Sequence, residues 1–247
     1  MKTVVISNRK GGSAKTTTAI NLAAELAKKY QVLLIDFDTQ GHASIGLGSS
    51  PVESLGAHNI FLGETLSESF VPTAVHNLTL SPALEFFDVY EFSDLRGVLK
   101  NRFKKEKIDH FFDYCIIDTP PTYDALLKNA LEVADAVIIP MVPHHLGVIG
   151  VSQMMRAIVQ MTVGNRQKTT VGIVPVMFNP HINEHKESIQ KVIESYGEKK
   201  LFSPIGVDIQ LSKQFEVAIP VVLQKKRSKG AKDYQLFTQE LIKKLDS

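Results

Sequence analysis

The chain has 247 residues, 44% of them hydrophobic and 22% charged, enough apolar content for a substantial core and too much for a disordered tail or fibrous array. With 28 Lys and Arg against 26 Asp and Glu the formal charge is +2, so the whole molecule is no polycation and any basic function must be local. One cysteine, Cys115, excludes an internal disulfide and a multi-thiolate metal or iron–sulfur site within one subunit.

The opening MKTVVISNRKGG loses its apolar run at Asn8 and Arg9, without the length or cleavage pattern of a signal peptide. No stretch of roughly 18 uncharged apolar residues follows, so no spanning helix is expected. Residues 3–6 predict a buried strand, and residues 16–29 place Ala19, Leu22, Ala23, Leu26 and Ala27 at helical spacing. Residues 32–35 predict the next strand. Residues 49–82, with His58, His76 and Asn77 among Gly and Pro, read as short helices and loops above a sheet.

Further strands are predicted at 114–117, 136–141 and 171–176, with amphipathic helices at 126–133 and 148–159. The last helix, 232–245, puts Leu236, Phe237, Leu241 and Leu245 on one face to close the core. Unbroken apolar strands alternating with helices imply parallel strands joined by right-handed crossovers. The expected fold is α/β, a doubly wound, mostly parallel sheet flanked by helices, forming one domain over residues 1–247.

Between the first strand and the first long helix stands Asn8-Arg9-Lys10-Gly11-Gly12-Ser13-Ala14-Lys15-Thr16-Thr17. A strand, a Gly-bearing turn and a helix start gather backbone N–H groups and a positive helix end around one point, which suits a phosphate chain. Lys15 supplies charge to the phosphates and the Thr16 hydroxyl a hard oxygen for Mg²⁺. The common phosphate-loop pattern is nevertheless broken, with Arg9 and Ala14 at its two glycine positions. If position 14 needs a positive φ, alanine strains the loop by about 1 kcal/mol.

With its second lysine, Lys10, the segment resembles the deviant Walker A P-loop family, most closely the ParA and Soj partition ATPases. Residues 32–41, VLLIDFDTQG, look like that family's second motif, and residues 114–121, YCIIDTPP, like its Walker B strand. Asn129, Asp135, Ile219-Pro220 and Ser228-Lys229-Gly230-Ala231 follow as in the family. The resemblance implies an ATP hydrolase that uses ATP/ADP and Mg²⁺, with Lys10, Gly11, Gly12, Ser13, Ala14, Lys15, Thr16 and Thr17 around the phosphates. It implies that Lys10 reaches the phosphates of a second copy in an ATP-state homodimer; read alone, Lys10 is an exposed loop lysine. It also implies that Asp38 orients the attacking water, and short carboxylates equally cap helices.

Asp118 ends a buried strand, where an unpaired carboxylate is costly, and so should face the cation or its water shell. Metal contacts are thus expected from Thr16, Asp38 and Asp118, with Asp36 a weaker candidate. Asn179 and Pro204 resemble the family's adenine-side residues. The pairs His144-His145 and His181/His185 read as packing and loop residues.

Two basic clusters stand out, Lys100, Arg102, Lys104, Lys105 and Lys107, and Lys225, Lys226, Arg227, Lys229 and Lys232. The first reads as a solvated helix face. In the second, Lys229 matches a family position tied to nonspecific DNA binding, which assigns Lys225, Lys226, Arg227 and Lys229 to DNA. Against this, residues 205–212, IGVDIQLS, lack the arginines of many relatives near Val207 and Gln210.

The chain starts at its first strand, without a helix-turn-helix, so DNA binding should be sequence-independent. The favoured expectation is a cytoplasmic, nucleoid-associated ATPase that positions a cargo with a ParB-like adaptor. A MinD-like membrane-cycling ATPase is the alternative; the end at Lys243-Lys244-Leu245-Asp246-Ser247 leaves no segment expected to lie on lipid as a stable membrane anchor.

Overall fold

The computed structural model describes residues 1–88, 95–162, 169–224 and 228–246. In chain order its main elements are β1 (Lys2–Ile6), α1 (Lys15–Leu26), β2 (Val32–Asp36), α2 (His42–Gly46), β3 (Val71–Pro72), β4 (Leu78–Ser81), α3 (Val98–Lys105) and β5 (Tyr114–Asp118). They continue with α4 (Ala125–Glu132), β6 (Ala136–Met141), α5 (His145–Thr162), β7 (Thr170–Pro175), α6 (Asn183–Tyr196), α7 (Gln210–Val217) and α8 (Lys229–Leu245).

The strands form one seven-stranded sheet in the order β3-β4-β2-β5-β1-β6-β7. All neighbours are parallel except β3 against β4. β2 and β5 are fully buried along their length, which explains their continuous apolar runs: side chains alternate between two covered faces. On one face Val4, Ile6, Leu34 and Ile116 pack against α1 and α8; on the other Val5, Ile35, Ile117 and Ile139 pack against α4 and α5. The doubly wound, mostly parallel sheet expected from the sequence is the observed one.

Two expectations need correction. Residues 49–82 contain 3-10 turns at Ala57–Leu62 and Ser67–Ser69, and they also supply β3 and β4 to the sheet edge. Those strands are only 2 and 4 residues long, too short to show a period. In α8 the buried face is Tyr234, Phe237, Thr238 and Leu241, while Leu236 is 47% exposed. The helix begins at Lys229 rather than 232 because Ser228 caps it, its Oγ accepting the Ala231 N–H at 3.2 Å.

Candidate nucleotide site

The turn after β1 is held from below. Asn8, which is buried, donates from Nδ2 to the Pro140 carbonyl at 2.7 Å, and its Oδ1 accepts the Lys10 N–H at 3.0 Å. Ser13 Oγ donates to the Lys10 carbonyl at 3.0 Å. Gly12 and Ala14 both lie in the left-handed region, at φ 70° and 58°. The strain anticipated at Ala14 is therefore present, and alternation of backbone hand turns successive N–H groups toward a common centre. α1 has no side-chain cap, so its first-turn N–H groups and positive dipole end are open to an anion. Residues 11–17 floor a depression of about 470 Å³ walled by Asp38, Gln40, His42, Pro121 and Phe215.

The carboxylates come from two adjacent strands paired in register, Asp36 of β2 opposite Asp118 of β5. Asp36 is more central than its sequence reading suggested. Its Oδ2 accepts the Ser44 N–H and hydroxyl at 2.9 and 2.8 Å, and its Oδ1 accepts the Asp38 N–H at 3.2 Å. Burial still pushes its pKa up to about 7, with the Asp38 charge adding to the shift.

Both carboxylate oxygens of Asp118 are buried without a hydrogen bond from any described residue. Burial first, and the Asp36 charge second, raise its pKa well above the ordinary carboxylate range. The Thr16 hydroxyl and Lys15 charge pull the other way, neither closing a bond of ordinary geometry on it. An orphaned carboxylate beneath an anion-ready loop fits a hydrated divalent cation, whose positive charge and water donors would satisfy it. Asp38 is largely buried and its Oδ1 accepts the Gln40 N–H at 3.1 Å; the N-cap of α2 is Gly41, so capping is not the role of Asp38.

Beside the phosphate loop lies a more apolar cleft of about 530 Å³, lined by Ala14, Thr17, Ile205, Gly206, Phe215 and Tyr234 among others. Neither Asn179 nor Pro204 lines it. Asn179 Oδ1 accepts the His181 N–H at 3.0 Å in the turn before α6. Ile205 enters this cleft, whereas Pro204 lines a separate depression with Leu201, Phe202, Ser203 and Lys244.

Lys225, Lys226 and Arg227 lie outside the described residues. Lys229 is exposed at the start of α8, and its Nζ packs over Gly206 where a Cβ would otherwise stand. Next to it Val207 and Ile209 are 63% and 64% exposed, an apolar surface where arginines would have strengthened a phosphate contact. His144 Nδ1 accepts the Gly147 N–H at 3.2 Å at the start of α5, a local packing role.

Sequence reasoning missed Asn8, Ser44 and Phe215. An Asx turn onto Lys10 was legible in Asn8-Arg9-Lys10. Ser44 and Phe215 gave no such signal, because their contacts depend on how α2 and α7 pack.

A family model described as an AAA domain matches residues 1–171. A chromosome partitioning protein ParA of Myxococcus xanthus is 33% identical over 249 residues, covering 98% of this chain and 88% of the relative. The fold matches Cyanothece apo McdA with a TM-score of 0.86 at 24% identity, covering 98% of this chain and 99% of that one. A cobyrinic acid a,c-diamide synthase from Mycobacterium smegmatis, solved with an ATP analogue and magnesium, matches with a TM-score of 0.82 at 28% identity, over 100% and 96% of the two chains. The strand–turn–helix phosphate loop, the paired strand-end aspartates and the near full-length similarity to ParA together place the chain in the ParA family of P-loop ATPases.

Proposed function

We propose that residues 1–247 act as a single ATPase domain that positions or segregates a cargo, with ATP closing a homodimer. The observation that carries the nucleotide reading is Asp118, whose buried oxygens accept no hydrogen bond from the described residues and which lies within electrostatic reach of Lys15 and Thr16 in the loop. In this reading the N–H groups of that loop and Lys15 hold the triphosphate, and Thr16, Asp38 and Asp118 hold Mg²⁺ and its water shell. The bound cation would draw charge from the β and γ phosphates. Asp38 orients the attacking water, and Lys10 of each copy reaches the other copy's phosphates.

The apolar cleft lined by Ile205 and Phe215 receives the adenine. Lys225, Lys226, Arg227 and Lys229 contact DNA without sequence preference, and a ParB-like adaptor stimulates hydrolysis and release. A cytoplasmic, nucleoid-associated protein follows from that cycle. Support comes from the named function of the Myxococcus relative, from the ligands of the Mycobacterium structure and from the geometry above.

Gel filtration with Mg²⁺ and ATP or ADP, with retention on random-sequence DNA at low salt, tests the scheme. The expected outcome is an ATP-specific dimer that binds DNA. Lys10→Ala should bind ATP yet stay monomeric, and Asp38→Ala should persist as a dimer without hydrolysis. An Asp38→Ala protein that remains monomeric with ATP would contradict the cycle, and ATP-dependent binding to liposomes in place of DNA would favour a membrane-cycling ATPase.

A further inference from the structure

On the sheet face opposite α8, a pit of about 260 Å³ lies between the phosphate-loop entry, the turn after β5 and helix α5. It is lined by Arg9, Tyr123, Gln153, Arg156, Ala157 and Gln160 and contains no carboxylate. Both arginines are exposed, and neither guanidinium makes a hydrogen bond or ion pair with a described residue. The Arg9 guanidinium carbon stands 5.8 Å from the Tyr123 ring centre and the Lys128 ammonium 5.4 Å from it, so the ring that lines the pit is itself held among cations. Tyr123 donates its hydroxyl to Gln160 Oε1 at 3.4 Å, which leaves the Gln160 amide N–H groups available.

We propose that this pit binds carboxylates presented by an acidic peptide segment of a protein partner. Two forked guanidiniums and two glutamine amides lining one pit offer paired donors for carboxylate oxygens, which lysine's point charge cannot reproduce. The volume admits one or two acidic side chains and falls below the range of nucleotide-sized ligands. The Tyr123 ring and the Ala157 methyl add apolar contact suited to a peptide rather than a bare ion. A DNA backbone is the poorer fit: the pit is a local concavity rather than a stripe of charge, and it lies across the sheet from Lys229.

Arg9 directly precedes Lys10, and Tyr123 follows Pro120-Pro121 after Asp118, so an occupant touches both loops of the nucleotide site. The binding claim itself does not depend on the ATPase cycle.

Calorimetric titration of the full chain with a blocked hexaglutamate peptide at low salt tests it, with inorganic phosphate, citrate and a random DNA duplex as separate titrants. Hexaglutamate should bind at least tenfold more tightly than phosphate or citrate. Arg156→Ala and Arg9→Ala should each weaken it at least fivefold, Arg156→Lys about threefold, and Lys191→Ala on α6 less than twofold. Unchanged melting temperatures would show that the variants fold, as expected for exposed side chains. Absence of peptide binding, equal binding by Arg156→Ala, or competition by phosphate or citrate at equal concentration would overturn the proposal. So would loss of DNA binding rather than peptide binding in Arg156→Ala.

Discussion

Asp36 and Asp118 stand opposite each other at the ends of β2 and β5, yet only Asp36 is hydrogen-bonded: Ser44 and the Asp38 amide serve it, and nothing described serves Asp118. The asymmetry assigns different work to two chemically identical groups. Asp36 ties α2 to the sheet, and Asp118 is left as a buried carboxyl group without a hydrogen bond from the described residues, held toward its neutral form until a cation offsets its charge.

Replacing Asp118 by Asn removes the group's capacity to ionise at nearly constant shape, and with it the cation ligand. The nucleotide-free variant should stay within about 1 kcal/mol of the parent in stability at pH 7.5, since a buried, unpaired amide replaces a carboxyl group that burial already drives toward its neutral form. Its Mg²⁺-dependent ATP hydrolysis should fall at least a hundredfold. Urea denaturation and phosphate-release assays check both halves. A variant less stable than the parent by about 3 kcal/mol or more would show that Asp118 is satisfied within the protein.

His58 provides a pH dependence of known sign. The side chain is buried, with Nδ1 accepting the Leu84 N–H at 3.1 Å, so Nε2 carries the proton and donates to the Phe37 carbonyl at 3.1 Å. Burial lowers its pKa from 6.5 to about 4. The folded state therefore holds the neutral ring where the unfolded chain is protonated. Its stabilisation is complete above the unfolded pKa of 6.5 and is lost progressively as pH falls from there toward 4.

Going from pH 7.5 to pH 5 should cost about 2 kcal/mol through this residue. Asp36, whose pKa is raised to about 7, acts with opposite sign over part of the same window. The comparison is therefore made against His58→Gln, which keeps a donor and an acceptor but does not titrate. Parallel stability–pH curves for parent and variant would refute the assignment.

What was legible in the sequence follows from length scale. Strands β1, β2, β5, β6 and β7 and helices α1, α4, α5 and α8 announced themselves because burial on both faces, or a continuous stripe, writes itself into many consecutive residues. β3 and β4 did not, being edge strands whose identity depends on pairing with β2. At the site, Lys10, Lys15, Asp38 and Asp118 were legible as local motifs, and their gathering in space is a property of strand register. Asn179 and Pro204 do not line the cleft beside the phosphate loop: Asn179 is engaged in the turn before α6, and the segment holding Pro204 is placed by bridges to β7 and Phe178, which composition does not show.

Ala14 tests how much the loop geometry costs. With φ 58° and ψ 31° it occupies a region that glycine enters freely and alanine does not. Ala14→Gly should raise stability by roughly 0.5–1 kcal/mol, part of the relief being offset by the flexibility that glycine adds to the unfolded chain. The melting temperature should rise by about 2–4 °C for the upper figure. Calorimetry checks the shift; a fall of several degrees would mean that the Ala14 methyl contributes more through packing than its backbone loses through strain.

Gly150 on α5 governs the position of Lys10 from behind. A Cβ there would stand 2.8 Å from Asn8 Oδ1 and 3.0 Å from Lys10 Cγ. Asn8 cannot yield freely, because its amide is already committed to the Pro140 carbonyl and its oxygen to the Lys10 N–H. Gly150→Ala must therefore either break a buried hydrogen bond, at about 1–3 kcal/mol, or push the Lys10 stem out of place. The two routes separate experimentally. Loss of stability with normal ATP-dependent association would mean that Asn8 moved and Lys10 did not. Near-normal stability with dimerisation reduced at least tenfold is the expected result, since the flexible lysine stem is the softer of the two contacts. Asn8→Ala should do the reverse, lowering stability while leaving room for Lys10. A Gly150→Ala protein indistinguishable from the parent in both measurements would show that α5 leaves Lys10 free to move.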